Sequence, residues 1–92
     1  MPEALTDNTT RRRFELGLDG ALGYIEYRRS GATLYLNHAE VPRDQQGRGL
    51  GTRLVLSTFD LIRTRGERMV AVCPFVRAVA RTHPEYAELS AE

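Results

Sequence analysis

The sequence predicts a mixed α/β domain in which an antiparallel meander of three strands leads into a β-α-β crossover and C-terminal helices. Three observations predict it. Apolar residues alternate at period two from Phe14 to about Val41, as in strands with one buried face. The spacing then changes to three and four residues in "GLGTRLVLSTFDLIRTRG", as an amphipathic helix requires. A short continuous apolar run, "RMVAVC", follows that helix and reads as a strand buried on both faces. At 92 residues the chain is one domain with a single modest core.

The opening "MPEALTDNTT" is polar and without periodicity, so residues 1–12 are expected to form a flexible tail ahead of a single domain over residues 13–92. "RRR" at Arg11 to Arg13 closes the tail as a solvated strand start. Phe14, Leu16 and Leu18 share one face of the first strand, and Asp19-Gly20 supplies a two-residue hairpin turn. "ALGYIEYRR" forms the second strand and ends at Ser30-Gly31; "ATLYLNHAEV" forms the third. Strict alternation in the third strand puts Leu34, Leu36, His38 and Glu40 on one side and Thr33, Tyr35, Asn37 and Ala39 on the other. Pro42 stops the pairing. In the long helix Leu50, Leu54, Val55, Phe59, Leu61 and Ile62 make the apolar face, and Gly66 is the C-terminal stop. Pro74 suits the first turn of a second helix, "PFVRAVARTH", and His83-Pro84 ends it and starts a last short one, "PEYAEL".

Composition excludes several classes of function. With 41% hydrophobic and 27% charged residues and no run long enough to cross a bilayer, no membrane partner is expected. The N-terminus lacks the apolar core of a secretory signal, which makes the cytoplasm the expected location. A single cysteine, Cys73, allows no internal disulfide and no zinc ligand set, so no metal is expected. A formal net charge of +1 argues against nucleic acid as a partner, despite the arginine triplet.

Strands joined through a helix are parallel neighbours with a right-handed connection. The end of the third strand (His38 to Val41), the start of the long helix at about Gly49 and the end of the fourth strand at Cys73 therefore meet at one sheet edge. Open α/β sheets bind ligands there, and a helix N-terminus offers unpaired N–H groups and a partial positive charge to an anion. Between strand and helix stands "RDQQGRGLGTR", with glycines at 47, 49 and 51. It matches neither the dinucleotide fingerprint nor the nucleotide P-loop.

Gln46-Gly47-Arg48-Gly49-Leu50-Gly51 does match Gln/Arg-x-x-Gly-x-Gly/Ala, the acetyl-CoA pyrophosphate motif of the GNAT N-acetyltransferase superfamily. The wider run "NHAEVPRDQQGRGLGTRLV", followed by "VCPFVRAVARTHPEYAEL", resembles its small stand-alone acetyltransferase-like group, with His-x-Glu-Val before the loop and Cys-Pro-Phe-Val after it. The resemblance covers nearly the whole chain from about residue 14 and implies a compact GNAT-like fold. It also implies that backbone N–H groups from Gln46 through Gly47, Arg48, Gly49 and Leu50 to Gly51 clasp the pyrophosphate of acetyl-CoA. Val41, Thr52, Cys73, Pro74 and Phe75 are the further cofactor contacts, with the pantetheine arm running between splayed strands toward Cys73. Set against the resemblance, the sequence is expected to depart from a full GNAT domain by being shorter, without the N-terminal helices that help to build the acceptor site there.

Acetyl transfer to an amine needs a base for the amine, polarisation of the thioester carbonyl and a proton for the leaving thiolate. Glu40 and His38 stand at the strand end as candidate bases. Cys73, before a helix start, is a candidate acid or transient acyl acceptor, with a buried inert thiol as the alternative. Tyr86 is a candidate acid toward the leaving sulfur, with packing of the last helix as its alternative. These residues point to an acetyl-CoA-dependent N-acetyltransferase acting on a small amine or a protein amino group, as a monomer or homodimer. A non-catalytic CoA-binding module is the alternative.

Overall fold

Among the described residues five strands form one sheet in the order β1-β2-β3-β4-β5: β1 Leu5–Asn8, β2 Arg13–Leu18, β3 Ala21–Ser30, β4 Thr33–Glu40 and β5 Arg68–Ala71. The computed structural model describes residues 5–18, 21–43 and 49–92. Neighbours from β1 to β4 are antiparallel, and β5 lies parallel to β4. The crossover helix α1 spans Leu50–Thr64, α2 spans Pro74–Thr82, and a 3₁₀ helix spans Pro84–Leu89. The meander, the crossover and the C-terminal helices thus stand in the expected order. Leu18 and Ala21 pair across the predicted Asp19-Gly20 turn, which itself lies outside the described residues.

The two-layer build follows from one apolar stripe per element. Phe14, Leu16, Ile25, Leu34 and Leu36 project from the sheet into a single cluster with Leu54, Val55, Phe59 and Ile62 of α1, Val76 and Val79 of α2, and Leu89. All the helices therefore pack on one face of the sheet. Thr58, the one polar side chain fully buried among the described residues, donates its hydroxyl to the Leu54 carbonyl at 2.9 Å. After α1, Gly66 takes the left-handed region at φ 70°, and the Glu67 N–H reaches back to the Ile62 carbonyl, which closes the helix as expected.

The other face carries no helix among the described residues. Its side chains pair with one another: Arg13 lies 4.3 Å over the Tyr24 ring, and Arg28 lies 4.5 Å over Tyr35. Arg13 also holds Glu15 at 2.5 Å and draws its carboxyl below the usual range.

Three expectations are corrected. The supposed tail over residues 1–12 contains β1, which pairs with β2 from Leu5↔Leu16 to Asn8↔Arg13. Its inward position 7 is an aspartate that accepts the Tyr27 hydroxyl at 2.5 Å and the Arg65 guanidinium at 2.9 Å, so the strand needs no apolar alternation. In β5 burial is not continuous: Met69 is buried, Arg68 is exposed and Val70 and Ala71 are half-buried, and Val72 just beyond is 45% exposed, because one face of the sheet is open.

The third correction moves the site. Pairing of β3 with β4 shifts register between Glu26↔His38 and Tyr27↔Leu36, which leaves Asn37 as an extra residue on β4. Such a bulge reverses the facing of everything beyond it. Ala39 therefore packs against the core, while His38 and Glu40 turn to the open face, opposite to Leu34 and Leu36.

Candidate active site

The start of α1 is built to present backbone donors. Gly49 holds the position before the helix at φ 76°, ψ 8°, a left-handed conformation that costs glycine nothing. Among the described residues no side chain caps the helix, and no acidic residue lies in its first turn. The first intrahelical bond, from the Arg53 N–H to the Gly49 carbonyl, is 3.1 Å. Leu50, Gly51 and Thr52 thus have N–H groups with no intrahelical acceptor, at the positive end of the helix dipole. Of the predicted loop, Gln46, Gly47 and Arg48 lie outside the described residues.

Gly51 also allows a close approach. A β-carbon there would stand 3.0 and 3.1 Å from ring carbons of Phe75 and 3.5 Å from Val41 Cγ2. Three predicted cofactor contacts from three separate segments, Val41, Gly51 and Phe75, therefore meet. Phe75 is 43% exposed, because the buried positions of α2 are Val76 and Val79.

Beside this cluster the sheet opens. The β4–β5 ladder runs from Thr33↔Arg68 to Leu36↔Ala71 and stops. The Val72 and Cys73 N–H groups both donate to the one Leu36 carbonyl, at 3.1 and 2.9 Å, as the chain turns into α2. β4 continues to Glu40 without β5 alongside it. Cys73 is the residue preceding α2, with Pro74 in the first turn, and its thiol is free but only 6% exposed. It stands at the base of the gap as a packed side chain.

On the open face, at the same end of β4, the His38 ring Nε2 and Glu40 Oε1 are 2.8 Å apart, each side chain about half exposed. Tyr24 is paired with Glu40 across β3 and β4, and its ring lies 6.5 Å from that of His38. Sequence reasoning missed Tyr24. Only the bulged register brings it opposite Glu40, and strict alternation would have paired it with Ala39.

Tyr86 does not join the site. Its hydroxyl donates to Asp60 at 2.6 Å, its ring packs 5.4 Å from Phe59, and Arg63 lies over it at 4.5 Å. Asp60 is ten residues along α1 from Leu50, about 15 Å at the helical rise. The Asp60 hydrogen bond, with some burial, pushes the Tyr86 phenol up to about 12, which makes it a poorer proton donor than a free tyrosine.

The model of the GCN5-related N-acetyltransferase family matches residues 13–89, and the chain belongs to that family. Its fold is shared with a GCN5-like protein of Staphylococcus aureus solved in solution by NMR: the TM-score is 0.71 at 21% identity, over 95% of this chain and 86% of that one. No curated protein sequence matches the chain. No helix of the described residues is long and apolar enough to cross a membrane.

Proposed function

We propose that this chain is an acetyl-CoA-dependent N-acetyltransferase that acylates a small amine or a protein amino group approaching from the open face of the sheet. The observation that carries this reading is the parting of β4 from β5 at Leu36, next to an acid-free, uncapped helix N-terminus. The residues fit the cofactor: the first turn of α1 holds no carboxylate, a β-carbon at Gly49 would meet nothing within 4 Å, and Val41 and Phe75 offer apolar contact beside Gly51. Gln46, Gly47 and Arg48 would complete that cradle, and Pro74 and Cys73 the wall of the gap. When bound, acetyl-CoA supplies an acyl group activated as a thioester.

The chain's own part is to orient and to move a proton. Val72 and Cys73 share the Leu36 carbonyl, so the slot has a fixed floor. Glu40, held by His38, takes the proton of the acceptor amine on the open face. Cys73 packs against the slot, and its burial favours direct transfer over a Cys73-bound acyl group. Tyr86 is assigned to the packing of the 3₁₀ helix.

The alternative, a CoA-binding module without turnover, is favoured by one observation: no helix of the described residues walls the open face at His38 and Glu40. Calorimetric titration with acetyl-CoA, followed by thiol release across a panel of amines and peptides, separates the two. Binding with release on at least one acceptor supports the transferase; binding without release on any supports the module. Absence of binding sinks both.

A further inference from the structure

The proposed chemistry leaves unused a row of side chains at the closed end of the gap. Arg28, Tyr35 and Val70 pair across β3, β4 and β5, and they face the open side because Leu34, Leu36 and Met69 face the core. Theirs is the last rung to look that way before the ladder ends at Leu36↔Ala71. The Arg28 guanidinium lies over the Tyr35 ring at 4.5 Å, so it leans from β3 across β4 toward the gap. Val72, 45% exposed, is the next residue of that face beyond Val70.

Of the arginines that alternation places on the open face, Arg28 is the one whose donors are unmet among the described residues. Arg13 holds Glu15, and Arg68 donates to the Ser90 carbonyl at 3.0 Å. Arg28 has the Tyr35 ring as its contact, through π electrons that take up none of its N–H groups. Glu26 is next but one on β3 and exposed on the same side, yet it forms no ion pair with Arg28. Its neighbour in the ladder is His38, whose ring is turned to Glu40 at 2.8 Å. The open face thus carries an unpaired guanidinium and an unpaired carboxylate side by side, with the His38–Glu40 pair beyond the carboxylate.

From this we propose that the acceptor is an amine that also carries a carboxylate, an amino acid, and that Arg28 selects it by binding the carboxylate. The assignment rests on the transferase reading above and narrows it. An acceptor so held has its ammonium end toward Glu26, His38 and Glu40, where negative charge favours it and where the proposed base stands. A guanidinium meets a carboxylate through two parallel N–H···O bonds, and a single guanidinium balances a single negative charge, which suits a carboxylate over a phosphate dianion. His38 and Tyr35 are three residues apart on β4, at most about 10 Å at the strand rise, a span that the two long side chains and one small zwitterion close. A lysine within a protein has no carboxylate of its own and gains nothing from Arg28.

The test compares kcat/KM for L-leucine against L-leucinamide, and for 6-aminohexanoate against n-hexylamine, in the native chain and in Arg28→Gln and Arg28→Lys, with thermal melts as the control for folding. In the native chain the carboxylate-bearing amine should exceed its partner by about tenfold or more in at least one pair. Arg28→Gln should bring that ratio close to one by raising KM for the acid, with kcat kept, since the carboxylate is held alike in ground and transition states. Arg28→Lys should keep part of the ratio, having the charge without the fork. Preference in the leucine pair marks an α-amino acid as the acceptor, and preference in the other pair a longer amino acid. The assignment is overturned if both pairs react without preference, or if Arg28→Gln keeps the native ratio; either result leaves the transferase reading standing. Turnover of none of the four amines overturns the assignment as well, and the transferase reading is then decided by the wider panel of amines and peptides.

Discussion

Gly49 offers a test in which backbone and charge separate. A β-carbon there meets nothing within 4 Å, so any substitution costs only the left-handed backbone at φ 76°, about 1 kcal/mol and least for Asn and Asp. In a domain of this size that lowers Tm by roughly 4–8 °C. Gly49→Asn and Gly49→Asp should lose this much alike. They differ by one negative charge at the end of α1 where the diphosphate is proposed to sit. At about 4 Å two unit charges interact by ~1 kcal/mol in water and ~4 kcal/mol near a protein surface. Gly49 is exposed, so a difference of about 1–3 kcal/mol is expected, or roughly 5- to 160-fold in Kd for acetyl-CoA between the two variants. Calorimetry at low and high salt measures it, with thermal melts as the control, and the gap should narrow with salt. If Asn and Asp variants bind equally well, and as tightly as the native chain, the helix N-terminus does not hold the diphosphate.

Glu40→Gln should lower the acetyl-transfer rate by about 10²- to 10⁴-fold while leaving the acetyl-CoA Kd unchanged, since a half-exposed pair adds little to stability; unchanged turnover would remove Glu40 as the base. Cys73→Ala should cost about 1–2 kcal/mol of stability by opening space in the core, yet retain turnover within about tenfold. Acetyl found on Cys73 by mass spectrometry would contradict direct transfer. Tyr86→Phe should leave transfer intact and lower stability at neutral pH by about 1 kcal/mol through loss of the bond to Asp60. The Tyr86 phenol is raised from 10 to about 12 in the fold, so its contribution is complete below pH 10 and is lost as pH rises toward 12. Tm against pH should therefore decline less steeply over that window in the variant. Tyr27, raised likewise by burial and its bond to Asp7, keeps part of the slope. A fall in turnover without a fall in Tm would return Tyr86 to the chemistry.

The parts that were legible in the sequence are those set by local rules. Gly66 ends α1 because a left-handed residue is needed there, and Pro74 opens α2 because its missing N–H is not wanted there. The change of period from two to 3.6 located α1, and the connection through that helix made β4 and β5 parallel, as expected of a β-α-β unit. What was not legible arises between segments. β1 escaped notice because Asp7 is satisfied by Tyr27 and Arg65, which are 20 and 58 residues away. Phe75 was implied as a cofactor contact by the resemblance alone; helical periodicity in α2 does not mark it as exposed, and its ring stands against Gly51 only through the packing of α2 beside α1. Tyr86 has the right chemistry for an acid, but its partner Asp60 fixes it far along α1.

By itself, then, the sequence determined the order of elements from β2 onward, the glycine-bearing approach to α1 and the meeting of Val41, Gly51 and Phe75 at one sheet edge. Each depends on near-neighbour periodicity, capping or chain connectivity. The tertiary structure alone decided which way those residues look. One extra residue on β4, Asn37, turns His38 and Glu40 from the helix-covered face to the open one and brings Tyr24 opposite Glu40. A bulge is a property of two paired strands, and nothing within the alternating run "TLYLNHAE" distinguishes the residue that β3 leaves unpaired.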